Sequence, residues 1–440
     1  MTNNEFLNNE LRWLAEVIVT RMKLYFNQET AVRDIREIKP QPISGEQGAY
    51  AAFISRNNFG YEERLGLILS FVPLLKPQLL DCFNVKNSDT GQRFMEFGCE
   101  ERDNILLPTF STLYFILCGD DVEQRIILMG VFSQHPIFTH SAYFSKGSRQ
   151  SQSLPTLQPS DELTETLIFE RKFVPAFTSD FPARKLTTER SWDELVLDES
   201  TMKMVNEIRL WVEYGDRIRG EWQLGKVIKP GFRVLFYGPS GSGKTFTASL
   251  LGKVTGKDVY CIDLSMVVSK YIGETEKNLS KVFQLAEDKD WILFFDEADA
   301  LFGKRTGLKD AHDRYANQEV AYLLQRVEDY RGLVVLSTNL KTNMDEAFSR
   351  RFQSVIRFPM PDAEQREQLW RNTFSPQCSF DEETDLKEIA KRHELAGGSI
   401  LNVVQYASVM AMSRGEKIIR NADIIEGIRR EFQKDGKIMR

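Results

Sequence analysis

The chain has 440 residues, of which 42% are hydrophobic and 27% are charged, and its formal net charge is −6. This composition is typical of a soluble globular protein, and the length corresponds to about two to four domains. The acidic balance argues against a broadly basic nucleic-acid-binding surface. No apolar run is long enough to span a bilayer, no signal peptide is visible, and five scattered cysteines fit a reducing compartment. We therefore expect a cytoplasmic protein that has no membrane or nucleic-acid partner.

In the first third of the chain, apolar residues recur every three or four positions, as they do on one face of a helix. The clearest stretches are Glu10–Phe26, Tyr50–Phe59, Tyr61–Leu69, Gln78–Phe83, Leu106–Cys118 and Val122–Phe132. The aromatic residues of the last two also allow strands. We predict a mostly helical N-terminal domain over residues 1–146 and expect it to choose a partner protein.

A segment rich in serine, glutamine and proline follows, and its composition is that of a linker. We place the linker at residues 147–190. Beyond it, short apolar runs alternate with helical patterns, which indicates a parallel sheet covered by helices. The strand candidates are Val234–Tyr237, Val259–Asp263, Trp291–Asp296, Leu333–Ser337 and Ser354–Phe358. We predict an α/β nucleotide-binding domain over residues 191–358 and a small helical C-terminal domain over residues 359–440.

The stretch GPSGSGKT fits the phosphate-binding pattern G-x-x-x-x-G-K-[ST], and it lies between an apolar strand and a helix-like segment, as the motif requires. Its glycines allow backbone N–H groups to surround phosphates at a helix N-terminus. Lys244 is expected to reach the β- and γ-phosphates, and Thr245 to place its hydroxyl on Mg²⁺. The candidate nucleotide-binding residues of this stretch are Gly238, Pro239, Ser240, Gly241, Ser242, Gly243, Lys244, Thr245 and Phe246.

Two acidic residues, Asp296 and Glu297, end another apolar strand. Ligands of open parallel sheets bind at the carboxyl ends of the strands. Beside a phosphate loop, Asp296 is expected to hold Mg²⁺ through a water molecule, and Glu297 to orient and deprotonate the attacking water. Asn339 follows the next core strand, where its amide would contact the γ-phosphate or that water, although an asparagine that merely ends a strand is also common.

Two adjacent arginines, Arg350 and Arg351, follow a short helical turn. One interpretation is a pair of surface salt bridges. The other is an arginine finger that reaches the γ-phosphate in the site of a neighbouring subunit, where it stabilises the transition state.

Taken together, these segments resemble AAA+ ATPases of the AAA type, over roughly Trp192–Phe432. The phosphate loop resembles Walker A, FFDEADALF resembles Walker B, STN resembles sensor 1, and DEAFSRRF resembles a shortened arginine-finger region, in which Arg350, Arg351 or both would act. The resemblance implies an α/β P-loop AAA+ core with a C-terminal helical lid. It also implies ATP and Mg²⁺ as cofactors and a homo-oligomer, expected to be a hexameric ring.

Two further segments resemble parts of the same family. SKYIGETE resembles its first pore loop, in which Tyr271, Ile272 and Gly273 would grip an extended polypeptide; core packing of the tyrosine is the alternative. LAGGSILN resembles the second-sensor region, in which Gly398 would let the backbone approach the adenine or ribose. A helix N-cap formed by Ser399 explains the same residues.

The sequence thus predicts an ATP hydrolase that remodels, threads or assembles a protein partner. The run from DEADALFGKR to DEAFSRRF also resembles ATPases associated with phage-tail-like contractile injection systems, for which the partner would be such a particle. One alternative is an assembly factor that uses nucleotide only as a switch, and the presence of Glu297 argues against it. The other is a nucleic-acid-dependent ATPase, which the acidic balance disfavours.

Overall fold

The computed structural model describes residues 1–43, 48–88, 90–140, 143–144, 156–178, 181–264, 274–298, 321–339, 350–434 and 436. The chain folds into two compact units, Met1–Val174 and Pro175–Arg440. The first unit has one large hydrophobic core, and the second has three.

The described part of the N-terminal unit is mostly helical, as predicted. Its α-helices are α1 (Asn3–Tyr25), α2 (Gly48–Arg56), α3 (Tyr61–Leu75), α4 (Phe110–Cys118), α5 (Val122–Gln134) and α6 (Asp161–Leu167). Short 3-10 helices span Ile35–Glu37, Pro77–Asn84 and Met95–Phe97, and a small antiparallel hairpin joins β1 (Glu100–Arg102) to β2 (Ile105–Leu107). The apolar face of α1 is buried against the other helices because its spacing matches the helical repeat.

A buried ion pair lies within this core. Glu10 on α1 is 0% exposed and Arg64 on α3 is 6% exposed, and Arg64 Nε donates to Glu10 Oε2 at 2.7 Å. The guanidinium also donates to the carbonyl oxygen of Gln41 and lies over the rings of Phe6 and Trp13. Burial raises the pKa of Glu10, and the contact with Arg64 opposes that rise.

No single helix among the described residues is long and apolar enough to span a bilayer. One bent pair of described helices is long and apolar enough to span a bilayer, by length and composition only. The pair consists of α3 and the 3-10 helix Pro77–Asn84, which meet at a bend of 101°. The middle of α3 is buried in the core of the N-terminal unit.

The linker predicted at residues 147–190 differs from the structure at both of its described ends. Leu157, Leu163 and Leu167 are buried in the N-terminal core, so residues of the expected linker complete that unit. Near its other end, β3 (Ala183–Leu186) joins the sheet of the second unit. Polar neighbours obscured both segments in the sequence. The three leucines lie among serine, proline and acidic residues and show no clear periodicity, and Arg184 and Lys185 interrupt the apolar pattern of β3.

The second unit contains a six-stranded sheet with the order β3-β5-β6-β7-β4-β8. The strands after β3 are β4 (Phe232–Tyr237), β5 (Val259–Asp263), β6 (Ile292–Asp296), β7 (Leu333–Thr338) and β8 (Ser354–Arg357). These five are parallel to their neighbours, whereas β3 pairs antiparallel with β5. All five strand predictions are confirmed to within two residues.

Helices cover both faces of this sheet, which confirms the predicted α/β class. They are α7 (Glu199–Glu221), α8 (Lys244–Thr255) and α9 (Glu274–Lys289), and residues 321–329 are also helical. One core packs α9 and the 321–329 helix against the sheet, and the other packs α7 and α8 against it. Each strand therefore contributes alternate side chains to two different cores.

The C-terminal helices form the predicted lid around a core of their own. They are α10 (Ala363–Thr373), α11 (Leu386–Arg392), α12 (Gly397–Ser413) and α13 (Asn421–Lys434). A short parallel pairing joins β9 (Ser379–Phe380) to β10 (Ile418–Ile419). Trp370, Ile400 and Ile428 are fully buried in this core.

Candidate active site

The order of the strands brings the separated motifs to one edge of the sheet. The phosphate loop follows β4, Asn339 follows β7, and Asp296 ends β6. Because β6, β7 and β4 are consecutive parallel neighbours, their carboxyl ends meet at the same edge. The structure therefore brings together predicted residues that are up to about a hundred positions apart in sequence.

The glycines of the loop occupy positions that other residues would strain. Gly238 has a φ of 154°, and a Cβ there would lie 2.0 Å from the carbonyl oxygen of Phe358. Gly241 and Gly243 have φ values of 73° and 99°, in the left-handed region that favours glycine. Among the described atoms, the buried Ser242 Oγ has no hydrogen-bond partner. A narrow cradle with an unsatisfied hydroxyl fits a phosphate group.

Lys244 begins α8 and is only 7% exposed. Its ammonium donates to the carbonyl oxygens of Gly238 at 2.8 Å and Pro239 at 2.9 Å, and to Asn339 Oδ1 at 3.0 Å. These neutral acceptors satisfy a nearly buried cation. A phosphate oxygen is a stronger acceptor for an ammonium group than an amide oxygen is, so an anionic ligand can replace them.

The hydroxyl of Thr245 and the carboxylate of Asp296 meet beside the loop, with 3.4 Å between Thr245 Oγ1 and Asp296 Oδ2. The other oxygen of Asp296 accepts a hydrogen bond from the backbone N–H of Glu297 at 3.0 Å. Hydroxyl and carboxylate oxygens are the donor set that Mg²⁺ prefers. These residues therefore fit a magnesium ion held between the protein and a bound phosphate.

The side chain of Glu297 is exposed, and its backbone has a φ of 51°. A residue other than glycine in the left-handed region carries strain of about 1–3 kcal/mol, and such residues are concentrated at functional sites. The turn lets the chain leave β6 while Asp296 and Glu297 both remain at the edge of the sheet.

Gly398, in the first turn of α12, contacts the phosphate loop through its backbone. Its N–H donates to the carbonyl oxygen of Gly241 at 3.1 Å, and a Cβ on Gly398 would lie 3.2 Å from the Cα of Gly241. The N-cap of α12 is Ala396. The alternative in which Ser399 forms the cap is therefore wrong, and the glycines serve the close approach of two backbones.

The sequence did not indicate the surroundings of Phe246. The guanidinium of Arg190 lies 5.8 Å from the centre of the Phe246 ring. On the same helix, Lys253 Nζ donates to the carbonyl oxygens of Glu189 and Arg190, each at 2.7 Å. These contacts hold the segment before α7 against α8. They join positions far apart in sequence, so no local sequence pattern predicts them.

The two arginines lie on the exposed turn before β8. Arg351 forms an ion pair with Glu328, which belongs to the 321–329 helix. The backbone carbonyl of Glu328 also accepts a hydrogen bond from Arg233 at 2.8 Å. The pore-loop candidates Tyr271, Ile272 and Gly273 lie outside the described residues.

Comparisons with known proteins match the same part of the chain. Residues 234–360 match the model of a family described as "ATPase family associated with various cellular activities (AAA)". The chain is 33% identical to cell division protein C of Sulfolobus acidocaldarius over 186 residues. These residues are 40% of this chain and 49% of that protein. It is 32% identical over 204 residues to the proteasome-activating nucleotidase of Methanocella arvoryzae, with coverages of 44% and 49%.

A third relative is the probable 26S proteasome regulatory subunit 6B of Caenorhabditis elegans. It is 28% identical to this chain over 250 residues, which are 54% of this chain and 58% of that protein. The chain thus spans about half the length of the curated relatives it matches.

Proposed function

We propose that this protein, whose residues 234–360 match the model of the AAA ATPase family, hydrolyses Mg-ATP and uses the free energy to remodel, thread or assemble a protein partner. The observation that supports this most strongly is the Lys244 ammonium, which joins the phosphate loop to Asn339 at 3.0 Å. Asp296 ends the strand beside the one that Asn339 follows. The groups that would bind and cleave a triphosphate in this proposal therefore belong to one edge of the sheet.

In the proposed mechanism, the loop N–H groups and Lys244 hold the β- and γ-phosphates. Thr245 and Asp296 would hold Mg²⁺, which would neutralise charge on the phosphate oxygens. Glu297 accepts a proton from the attacking water as the oxygen of that water forms its bond to the γ-phosphorus and the bond to ADP breaks. Asn339 orients the γ-phosphate or the water after Lys244 has exchanged its amide for phosphate oxygens.

We also propose that the protein forms a homo-oligomeric ring, a hexamer, in the cytoplasm. The match to the AAA family supports a ring, and Arg350 and Arg351 lie on an exposed turn, from which they would reach the nucleotide of a neighbouring subunit. In such a ring, Tyr271, Ile272 and Gly273 would contact the polypeptide partner. All five cysteines are free thiols, which is consistent with a reducing compartment.

The names of two relatives refer to the proteasome, which supports a protein substrate for this chain. The name of the third refers to cell division. A contractile injection particle is a narrower proposal for the partner. It rests on the sequence resemblance alone, since none of the relatives described above bears such a name.

Replacing the proposed base tests the hydrolysis. We expect Glu297→Gln to lower the rate of phosphate release by about 10²–10⁴-fold, the usual contribution of a general base, while ATP binding persists. Phosphate release and the binding of a fluorescent ATP analogue would be measured in parallel, with Glu382→Gln on the exposed surface of the lid as the control. Unchanged turnover in Glu297→Gln would remove this residue from the mechanism. Wild-type protein that binds ATP without turnover would favour the nucleotide-switched assembly factor.

A further inference from the structure

Helix α5 leaves most of its apolar side chains in solvent. Residues Ile126–Phe132 are seven consecutive apolar residues, so the middle of this helix is apolar on every side. Only Leu128 and Phe132 on α5 are buried. The α5 patch consists of the exposed aliphatic residues Val122, Ile126, Ile127, Met129 and Val131, which are 45–67% exposed.

These residues form two stripes on the exposed side of the helix. Val122, Ile126 and Met129 are spaced four and three residues apart and form one stripe. Because successive helical residues are about 100° apart, Ile127 and Val131 form a second stripe on the other side of Gly130. A helix that is apolar all round is normally buried, and a contiguous exposed apolar patch marks an interaction site. Complete burial of each such side chain would contribute about 1.5–3 kcal/mol.

Gly130 is a second, independent observation on the same surface. It lies between the two stripes, four residues after Ile126 and three after Ile127, and a Cβ added to it would meet nothing within 4 Å. Glycine inside a helix destabilises that helix by about 0.5–1 kcal/mol relative to alanine, and the fold around Gly130 gives no steric reason for it. Close approach of another backbone gives such a reason.

Charge distinguishes between possible occupants of the patch. Asp120, Asp121 and Glu123 are exposed at its N-terminal end, where Asp121 caps the helix by accepting from the N–H of Gln124. The other end of α5 is neutral. Two copies of α5 would place acids against acids if parallel, and acids against neutral side chains if antiparallel. α5 itself carries one cation, Arg125, beside these three acids. A second copy would therefore bring no excess of cations to this end of the patch, and a partner that does so complements it better.

We propose that the α5 patch docks an amphipathic helix of another protein, one whose apolar face carries lysine or arginine in its last turn. An antiparallel arrangement would place those cations beside Asp120 and Glu123, and cations in the last turn also favour the dipole of the partner helix. This proposal rests on the proposed function in one respect, since it identifies a class of protein on which the proposed ATPase would act through its N-terminal unit.

The test uses the full chain and a synthetic helical peptide with leucines along one face and lysines in its last turn. Fluorescence anisotropy should show saturable binding. The variant Ile126→Ser/Ile127→Ser should weaken that binding about tenfold or more, because two apolar contacts are lost. The control Val19→Ser removes an aliphatic side chain that is 54% exposed on α1, and it should leave the affinity unchanged.

Charge reversal tests the orientation. A peptide with glutamates in its last turn should bind the wild type more weakly than the lysine peptide does, and Asp120→Lys/Glu123→Lys should reverse that preference. Gly130→Ala should raise the melting temperature and weaken peptide binding at the same time. Stabilisation alone would be expected of any free surface helix.

Three results would overturn the proposal. The first is peptide binding that none of the patch variants affects. The second is self-association of the full chain, measured by sedimentation, that Ile126→Ser/Ile127→Ser abolishes. The third is binding of neutral lipid vesicles that the same variant abolishes. Basal ATP turnover is measured on every variant and should not change. Normal turnover without peptide binding would contradict the docking proposal alone, and peptide binding without turnover would contradict the proposed function alone.

Discussion

Lys244 is held by oxygen atoms of its own chain that a phosphate can displace. Its partners are two loop carbonyls and Asn339. The lysine is therefore already fixed at the site where the ligand arrives, and little side-chain entropy remains to be lost on binding. Each glycine of the loop contributes to this arrangement by allowing a backbone conformation that brings those carbonyls within reach.

Gly238→Ala should disrupt the conformation of the loop that holds Lys244. The added Cβ would lie 2.0 Å from the carbonyl oxygen of Phe358, so either the loop or β8 has to move. We expect a loss of stability of about 1–3 kcal/mol and a large loss of nucleotide affinity. Thermal unfolding and binding of a fluorescent ATP analogue measure the two effects. Gly220→Ala on α7 is the matched control, since its Cβ meets nothing within 4 Å and should cause neither loss.

At the scale of elements, the ion pair between Glu10 and Arg64 joins α1 to α3 inside an apolar core. Removing one partner of a buried pair leaves the other charge without compensation, at a cost of about 3–5 kcal/mol. We expect this loss for each single variant, Arg64→Met and Glu10→Leu, and we expect the double variant Glu10→Leu/Arg64→Met to recover most of it. Urea unfolding followed by fluorescence measures both. If the double variant loses as much as the two single variants combined, the pair is not coupled as the structure indicates.

The lid should lose stability in mild acid. Burial, together with Arg392, lowers the pKa of His393 below its usual value of 6.5. The unfolded chain therefore takes up a proton near pH 6.5, whereas the folded lid takes it up only at lower pH, so the free energy of unfolding falls as pH decreases through that window. His393→Leu should lose less stability than the wild type between about pH 7.5 and pH 5.5. Equal losses of melting temperature in the two proteins would count against this role of His393.

The strands from β4 to β8 were predictable because buried parallel strands are continuous apolar runs that end in polar turns. The same reasoning missed β3, whose Arg184 and Lys185 interrupt the apolar pattern. For the site, the motif residues Lys244, Thr245, Asp296 and Asn339 could be named, whereas the contact of Arg190 with Phe246 arises only from tertiary packing.

At the scale of the whole molecule, the arginine turn predicts an active site shared between subunits. Arg350→Ala/Arg351→Ala should abolish turnover and leave ATP binding nearly intact, because these residues would act on a neighbour's nucleotide. Mixing that variant with Glu297→Gln protein should restore part of the activity, since some interfaces combine one intact arginine pair with one intact base. Phosphate release from the mixture measures the rescue. Its absence, once exchange of subunits has been verified by mass, would contradict action between subunits.

The meeting of α12 with the phosphate loop depends on one backbone hydrogen bond, from Gly398 to Gly241. A bond of that kind contributes about 0.5–1.5 kcal/mol, which corresponds to at most about a tenfold ratio between two conformations. The polar part of the contact therefore holds the lid only weakly. If a triphosphate contacts both backbones more tightly than a diphosphate does, each turnover would shift the balance between lids docked on the phosphate loop and lids released from it.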